Sequence, residues 1–246
     1  MKKVLKAEKL CASYGKGNAQ VDVLKDFEFN MDNGAFEALM GPSGSGKSTF
    51  LHIASRLLTP SSGKVFVGDA EITSMGDSDS AKFRRSNIGV VFQSFNLVES
   101  LNVEENIVLP VRLAHGAVDK ARLEKLINIL GLEGKEKKKP GELSGGECQR
   151  VAIGRAVYAS PKIIFADEPT GNLDTISSQG ICKLLSRLNK DESCAILLVT
   201  HDPVVASYAN KVHFLKNGVI VDSIETDHDA SKISGHYLKT FNRSGF

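Results

Sequence analysis

Long apolar runs are missing from this sequence. No stretch approaches the roughly 20 consecutive apolar residues that span a bilayer, and even a good run such as Ala195–Thr200 ends within a few residues. Residues 1–10 mix lysines with isolated apolar residues and lack the apolar core and small-residue cleavage site of a signal peptide. We therefore expect that this chain is not exported, and that another chain supplies any membrane-spanning part.

Paired cysteines and a strong net charge are also missing. The four cysteines include no CxxC pair, which gives no support to a zinc site or a redox motif and favours a reducing compartment. The 31 Lys and Arg residues nearly balance the 29 Asp and Glu residues, so no global charge attracts nucleic acid or anionic lipid. With 41% of its 246 residues hydrophobic, the chain can bury a sizeable core.

The order of apolar patterns predicts an α/β protein. Strands and tight turns fill the first third, a helical pattern the middle, and continuous apolar strands of the kind buried in parallel sheets the last third. The clearest elements are a hairpin turning at Gly68-Asp69, an amphipathic helix between Asp119 and Gly131, strands at 162–166 and 195–200, and a hairpin turning at Asn217-Gly218. The pattern assigns no structure to the tail after Ile224.

Residues 41–48 match GxxxxGKS, the P-loop pattern, between a short apolar strand at Phe36–Met40 and a helical pattern. Glycines let backbone N–H groups point at phosphate oxygens, and the helix N-terminus adds its dipole. Lys47 is predicted to reach the β- and γ-phosphates as a catalytic residue, and the Ser48 hydroxyl to bind Mg²⁺. The alternative is a Gly/Ser-rich linker that contains a lysine by chance, but a linker would not explain the strand before this segment and the helix after it. The predicted nucleotide-binding residues are Gly41, Pro42, Ser43, Gly44, Ser45, Gly46, Lys47, Ser48 and Thr49.

Two carboxylates follow the apolar strand at 162–166. Asp167 is predicted to help hold Mg²⁺ through its water shell, and Glu168 to polarise the attacking water as general base. Two acids at a strand end are often only a solvated turn, but an upstream P-loop favours the functional interpretation. Many nucleotide kinases and helicases share this combination, so it does not define the family by itself.

The segment Leu143-Ser144-Gly145-Gly146-Glu147-Cys148-Gln149-Arg150 resembles LSGGQ, the signature of the ABC ATPase family. The resemblance implies that Ser144, Gly145 and Gly146 contact the γ-phosphate of an ATP held by a second subunit. The same residues also fit a helix capping box, with Ser144 three residues before Glu147. Both interpretations can hold at once.

Other family elements follow in order, although a lone Gln, His or Tyr is more often structural than functional. Gln93 is similar to the Q-loop glutamine, which contacts Mg²⁺ or water and senses nucleotide, and it is predicted to be a catalytic, nucleotide-binding and metal-binding residue. The segment Asn172-Leu173-Asp174 is similar to the D-loop, which crosses the dimer interface, and Asp174 is predicted to bind nucleotide. His201 is similar to the switch histidine, a catalytic residue that contacts the γ-phosphate and holds Glu168 and water in line. Tyr14 is similar to the A-loop aromatic that stacks on adenine.

The resemblance extends over residues 5–224 and implies a P-loop NTPase fold. This fold has a RecA-like parallel core, an N-terminal antiparallel β subdomain and an inserted α-helical subdomain. We predict one ABC ATPase domain over residues 1–246, with core and β subdomain in 1–85 and 161–246 and the helical subdomain in 86–160. The implied ligands are ATP and Mg²⁺.

The resemblance also implies partners: a homodimer or a paired ATPase subunit, and transmembrane permease subunits that hold the chain at the cytoplasmic face of the membrane. Docking is predicted at residues 95–105, although the apolar side chains there could equally be ordinary core; they are Phe95, Leu97, Val98 and Leu101. A soluble ABC ATPase acting on DNA or ribosomes is disfavoured, because no second ATPase half or coiled-coil insertion is present, and no nucleic-acid partner is expected.

Sequence details resemble the subgroup of lipoprotein-releasing, macrolide-efflux, antimicrobial-peptide-resistance and cell-division ATPases, which favours export or extraction from the membrane. A regulatory ABC ATPase that moves no substrate remains an alternative function. A nucleotide kinase is disfavoured, because it would need an acceptor-binding lid and no segment of the sequence indicates one.

Three residues depart from the usual signature pattern, namely Glu147, Cys148 and Gly154. Glycine inside a helix costs up to ~1 kcal/mol relative to alanine, so the predicted signature helix is expected to be somewhat weaker.

Overall fold

Two β-sheets and the helices around them make up the computed structural model, which describes residues 2–15 and 20–242. The strands are β1 (Lys3–Tyr14), β2 (Val21–Asp32), β3 (Phe36–Met40), β4 (Ser62–Val67), β5 (Ala70–Glu71), β6 (Ile88–Val91), β7 (Ile163–Asp167), β8 (Ala195–Thr200), β9 (Lys211–Lys216) and β10 (Val219–Glu225). The helices are α1 (Lys47–Ala54), α2 (Asp77–Asn87), α3 (Val103–Leu113), α4 (Lys120–Leu130), α5 (Gly145–Tyr158), α6 (Thr175–Glu192), α7 (Pro203–Ala206) and α8 (Ala230–Asn242), with a 3₁₀ turn at Pro140–Glu142.

The central sheet has the strand order β10-β9-β3-β8-β7-β6. Its strands run parallel from β9 to β6, and β10 joins the edge through an antiparallel hairpin with β9. Every residue of β3 and β8 is buried, as expected for parallel strands covered on both faces. The predicted α/β fold with a parallel core is confirmed.

The second sheet is antiparallel, with the order β2-β1-β4-β5. Its apolar face and helix α1 pack on one side of the central sheet, where the rings of Phe27 and Phe29 lie 4.5 and 5.2 Å from the ring of Phe50. The predicted hairpin is present, since Val67 pairs with Ala70 across the turn. This packing fixes α1, and with it the P-loop, against the sheet.

Helices α3 to α6 cover the other face of the central sheet. The predicted amphipathic helix is α4, which Asp119 caps by accepting a hydrogen bond from Arg122 N and which ends at Gly131 in the left-handed conformation. In α5, a Cβ atom at Gly154 would lie 2.6 Å from Leu130 and 3.1 Å from Ile107. The glycine that weakens α5 as an isolated helix therefore permits its close packing on α3 and α4.

The segment predicted as the helical subdomain, 86–160, contains α3, α4 and α5, but it also contains β6, which pairs with β7 in the central sheet. Helix α2 lies in a region whose pattern predicted strands and turns, because Ser80 is its only buried residue and no apolar period marks it. The tail forms α8, where Tyr237 and Phe241 pack on Phe214. Within residues 2–15 and 20–242, no helix is long and apolar enough to cross a membrane.

A buried polar pair joins two neighbouring strands of the central sheet. His213 Nε2 on β9 lies 2.7 Å from Glu37 Oε2 on β3, and the two side chains are 8% and 10% exposed. The other ring nitrogen of His213 lies 2.7 Å from Ser223 Oγ on β10. Each group satisfies the other where water has little access, so removing one partner leaves a buried polar group unpaired.

We expect His213→Ile to lower the free energy of unfolding by about 1–3 kcal/mol, because the Glu37 carboxylate then loses its buried partner. The double variant Glu37→Val/His213→Ile replaces both groups with apolar side chains and is expected to be close to neutral or stabilising. Urea unfolding of both variants beside the unaltered chain measures the difference. A double variant as unstable as the single one would contradict this explanation.

Candidate nucleotide-binding site

A cleft of about 820 Å³ opens where β3, β7 and β8 end. Its wall contains most of the predicted P-loop together with residues that follow β7 and β8. The lining residues are Val23, Pro42, Ser43, Gly44, Gly46, Lys47, Ser48, Thr49, Glu168, His201, Pro203 and Tyr237. The fold therefore brings the predicted phosphate-binding loop together with the predicted base and switch histidine.

The backbone of the P-loop requires glycine at two positions in particular. A Cβ atom at Gly41 would lie 2.2 Å from the Leu215 carbonyl oxygen, and Gly46 has a φ of +107° at the start of α1. Within the described residues, no side chain caps this helix, whereas side chains cap α3 through α7. The first-turn N–H groups of α1 thus face the cleft as an anion-binding site.

Lys47 is 8% exposed and folds back over the P-loop. Its Nζ donates hydrogen bonds to the Gly41 and Pro42 carbonyl oxygens at 2.8 and 2.9 Å. Burial lowers the pKa of Lys47 below its ordinary value, while the carboxylates of Glu168 and Asp167 act in the opposite direction. These acids oppose the effect of burial, so they favour the charged ammonium at the cleft.

The predicted magnesium-binding residues Ser48 and Asp167 meet at the cleft. Ser48 Oγ donates a hydrogen bond to Asp167 Oδ1 at 2.9 Å. His52, which sequence analysis missed, places its Nε2 3.6 Å from the other carboxylate oxygen of Asp167. Because Ser48 and His52 lie four residues apart on α1, they share one helix face; that spacing was the available signal.

Glu168 and His201 form the next contact. Glu168 Oε1 lies 2.8 Å from His201 Nδ1, with the two side chains 18% and 70% exposed. The backbone of Glu168 has a φ of +45°, unusual for a residue other than glycine, and its N–H donates to the Val199 carbonyl oxygen at 3.0 Å. This strained turn directs the carboxylate into the cleft beside the imidazole.

Gln93 is hydrogen-bonded to Asn172, and its predicted contact with Mg²⁺ or water stays a prediction. Its amide nitrogen donates to Asn172 Oδ1 at 3.2 Å, and Asn172 Nδ2 donates to the Gln93 carbonyl oxygen at 3.1 Å. Within residues 2–15 and 20–242, no hydrogen bond of Gln93 reaches Ser48 or Asp167. The Q-loop and the D-loop are therefore joined to each other, through a pairing over 79 positions that no local pattern reveals.

The signature turn lies apart from this cleft. None of the described residues that line the cleft comes from Ser144, Gly145 or Gly146. Ser144 and Gly145 are exposed at the start of α5, and the predicted capping box is present: Ser144 Oγ accepts from Glu147 N, and Glu147 Oε2 accepts from Ser144 N. The signature glycines pack on segments of the same chain: a Cβ at Gly145 would lie 3.3 Å from Leu173 of the D-loop, and one at Gly146 would lie 3.3 Å from Ser177 of α6.

Two further predicted residues lie near these elements. Asp174 caps α6 by accepting hydrogen bonds from Ser177 N and Oγ, which lower the pKa of the Asp174 carboxyl below its usual range. Tyr14 is 46% exposed, and its hydroxyl oxygen lies 3.4 Å from Thr49 Oγ1 beside the P-loop. The predicted contacts of both side chains with nucleotide stay predictions.

A glycine loop between a parallel strand and a helix, facing carboxylates at the end of a neighbouring strand, defines the class of P-loop nucleotide-binding proteins. Comparison with known proteins narrows the class. The family model for the ABC transporter matches residues 24–171. The chain belongs to this family, and it is an ATP-binding ATPase of the ABC type, as the signature and its order in the sequence predicted.

Individual relatives agree with this assignment. The chain is 41% identical to the lipoprotein-releasing system ATP-binding protein LolD of Colwellia psychrerythraea, over 84% of this chain and 81% of LolD. It is 42% identical to the macrolide export ATP-binding/permease protein MacB of Neisseria gonorrhoeae, over 85% of this chain and 32% of MacB. The predicted resemblance to these two kinds of ATPase is confirmed.

A solved structure shares the fold. The dimeric post-hydrolysis structure of the ATP-binding cassette MJ0796 bound to ADP and Pi has a TM-score of 0.82 and 36% sequence identity to this chain. The match covers 90% of this chain and 98% of that one. The similarity therefore includes nearly the whole cassette, cleft and signature helix together.

We expect Gly46→Ala to destabilise the P-loop by about 1–3 kcal/mol, because φ there is +107° and the new Cβ would lie 2.9 Å from Leu24. Gly76→Ala is the matched control: Gly76 also precedes a helix without a side-chain cap, but its φ is −67° and the space around it is open. Urea unfolding without nucleotide measures the stability of each variant, and titration with a fluorescent ATP analogue measures its affinity for nucleotide. Equal stability of the two variants would refute the requirement for glycine.

Proposed function

We propose that this chain is the ATP-hydrolysing subunit of an ABC transporter, and that it closes with a second copy or a paired ATPase subunit over two ATP molecules. One observation carries the proposal: within the described residues, the P-loop cleft is lined by no residue of the signature turn of its own chain. The cap at the start of α5 uses the Glu147 N–H, so the first-turn N–H groups of Gly145 and Gly146 can still donate to an anion. We propose that this exposed helix start completes the cleft of another subunit. The dimeric assembly of the similar cassette MJ0796 supports this arrangement.

We propose that Mg²⁺ accompanies the nucleotide, held by Ser48, Asp167 and Gln93. The residues fit this ion, because hydroxyl, carboxylate and amide oxygens are hard ligands and Mg²⁺ needs few of them beside phosphates and water. Ser48 and Asp167 already lie together at the cleft, 2.9 Å apart, whereas Gln93 has to leave Asn172 to join them. When bound, the ion would neutralise charge on the β- and γ-phosphates.

The pair formed by Glu168 and His201 supplies the proposed hydrolytic chemistry. A water oxygen attacks the γ-phosphorus, its proton passes to the Glu168 carboxylate, and the bond from the γ-phosphorus to the ADP oxygen breaks. His201, 2.8 Å from Glu168, holds the carboxylate and the water in line. Lys47 exchanges its P-loop carbonyl partners for the β- and γ-phosphates and stabilises the charge that develops on them.

We expect Glu168→Gln to lower ATP hydrolysis by about 10²-fold or more, because it keeps the shape of the side chain and removes the general base. With Mg-ATP, the same variant should shift in mass from monomer to dimer, since ATP stays intact between the subunits. Glu225→Gln, which alters an exposed carboxylate at the end of β10, is the control for both measurements. Persistent hydrolysis would exclude Glu168 as the base, and a monomer with bound ATP would exclude self-pairing.

A second concave surface is the proposed docking site for the membrane partner. This groove, of about 350 Å³, lies between α2 and β6 on one side and α3 and α5 on the other. Leu109, Leu113 and Ala156 give it apolar surface, and three arginines line it as well, namely Arg84, Arg85 and Arg155. The composition suits a short helix that carries apolar side chains and an acidic one.

The segment predicted for docking, residues 95–105, borders this groove through Asn96. Leu97 packs against the core cluster, whereas Val98 is 38% exposed, so the segment contributes to the core and also has a side chain at the surface. We propose a permease subunit as the partner, which places the chain at the cytoplasmic face of a membrane. LolD is named for lipoprotein release and MacB for macrolide export, and on this similarity we propose export or extraction as the class of transport.

We expect Leu113→Asp to abolish copurification of the permease with the tagged chain, because the variant removes apolar contact area and its carboxylate competes with the acidic side chain of the partner for the arginines of the groove. Leu113 is 56% exposed, so the fold and the ATP hydrolysis of the isolated chain should be unchanged. Val221→Asp on β10, at a position 44% exposed, is the matched control and should keep the permease. Retention of the permease by Leu113→Asp would exclude this groove as the docking site.

A further inference from the structure

Lys135 and Glu147 form an ion pair next to the signature turn. Glu147, the only acidic residue in the first turn of α5, directs Oε2 to Ser144 N at 2.8 Å and Oε1 to the ammonium of Lys135. Lys135 lies twelve positions upstream, in the connection between α4 and the 3₁₀ turn. The carboxylate is thus shared between the capping box and one lysine.

The Glu147 carboxylate lies in the first turn of α5, where its negative charge affects the binding of an anion. The N-terminus of a helix carries about half a positive elementary charge, and that charge is what the proposed function requires at the start of α5. A full negative charge three residues into the helix would oppose an approaching triphosphate. The hydrogen bond from Lys135, followed by that from Ser144 N, lowers the pKa of Glu147 to about 2, so the carboxylate is ionised at neutral pH.

The groups that would face a phosphate are otherwise free to donate. Ser144 Oγ acts as acceptor in the cap, which leaves its hydroxyl hydrogen available. Ser144 and Gly145 are exposed, so another subunit can reach them. Among the described residues of the first turn of α5, Glu147 is the one that carries a negative charge, and Lys135 pairs with its carboxylate.

We propose that Lys135 is a positioning residue of the nucleotide sandwich: by pairing with Glu147 it neutralises the one carboxylate of the signature turn and keeps the start of α5 open to a triphosphate on a second subunit. The inference rests on the proposed function, since it assumes that the signature closes over ATP of another copy. It adds a residue outside the signature and outside the P-loop cleft. A purely structural tie between the loop and α5 is the competing explanation.

Four variants in the Glu168→Gln background separate these explanations. Lys135→Met removes the counter-charge, Glu147→Gln removes the carboxylate but keeps a capping side chain, and Lys135→Met/Glu147→Gln removes both. Lys137→Met is the matched control, because Lys137 lies in the same loop but pairs with Glu104 on α3. The measurements are the ATP concentration for half-maximal dimerisation at low and high salt, and urea unfolding without nucleotide.

We expect Lys135→Met to raise this ATP concentration on the order of tenfold, since two helix ends per dimer lose their counter-charge, and the increase should shrink at high salt. Glu147→Gln and the double variant should dimerise within about twofold of the parent, as should Lys137→Met. A double variant as weak as Lys135→Met, or an unchanged Lys135→Met, would overturn the inference while leaving the proposed function intact. A parent that does not dimerise with ATP would overturn both.

Discussion

The parallel register of β3, β8 and β7 is the constraint on which the site depends. Met40 pairs with Thr200, and Asp167 pairs with Val199, so the three strands end side by side. The P-loop, His201 and Glu168 follow these ends directly, and the buried faces of the strands hold them in place. Residues more than a hundred positions apart are thus brought together by the pairing of these strands and by the packing of their buried faces.

Within the described residues, the cleft at this edge of the sheet contains no residue of the signature turn. The sheet presents a P-loop, acids and a histidine on one edge, while α5 presents its capped start on a different surface. The glycines at the start of α5 pack against Leu173 of the D-loop and Ser177 of α6 in the same chain, and this packing holds the signature turn away from the P-loop cleft of its own chain. This separation is the reason for proposing that another subunit completes the cleft, and the similar cassette is likewise dimeric.

Local patterns account for what the sequence could predict. The P-loop, the strand before Asp167 and the capping box at Ser144 each depend on neighbours within a few positions, and each is present. Contacts between distant segments were not predictable in this way, as the pairings of Gln93 with Asn172 and of Lys135 with Glu147 show. Helix α2 was not predicted because it has a single buried residue and therefore no apolar pattern of helical period. Strand β6 was not predicted because its four residues are too few to show an alternation of apolar and polar side chains.

Arg155 has a consequence for communication within the subunit. It lies ten positions after Gly145 on α5, about 15 Å along the helix, and donates to the carbonyl oxygens of Phe95 and Asn96, both of which have left-handed backbones. Helix α5 thus borders the proposed docking groove near one end and begins at the turn that is proposed to contact the triphosphate of a second subunit. If ATP-driven dimerisation changes the affinity of the chain for the permease by some factor, then permease binding changes the equilibrium constant for ATP-driven dimerisation by the same factor.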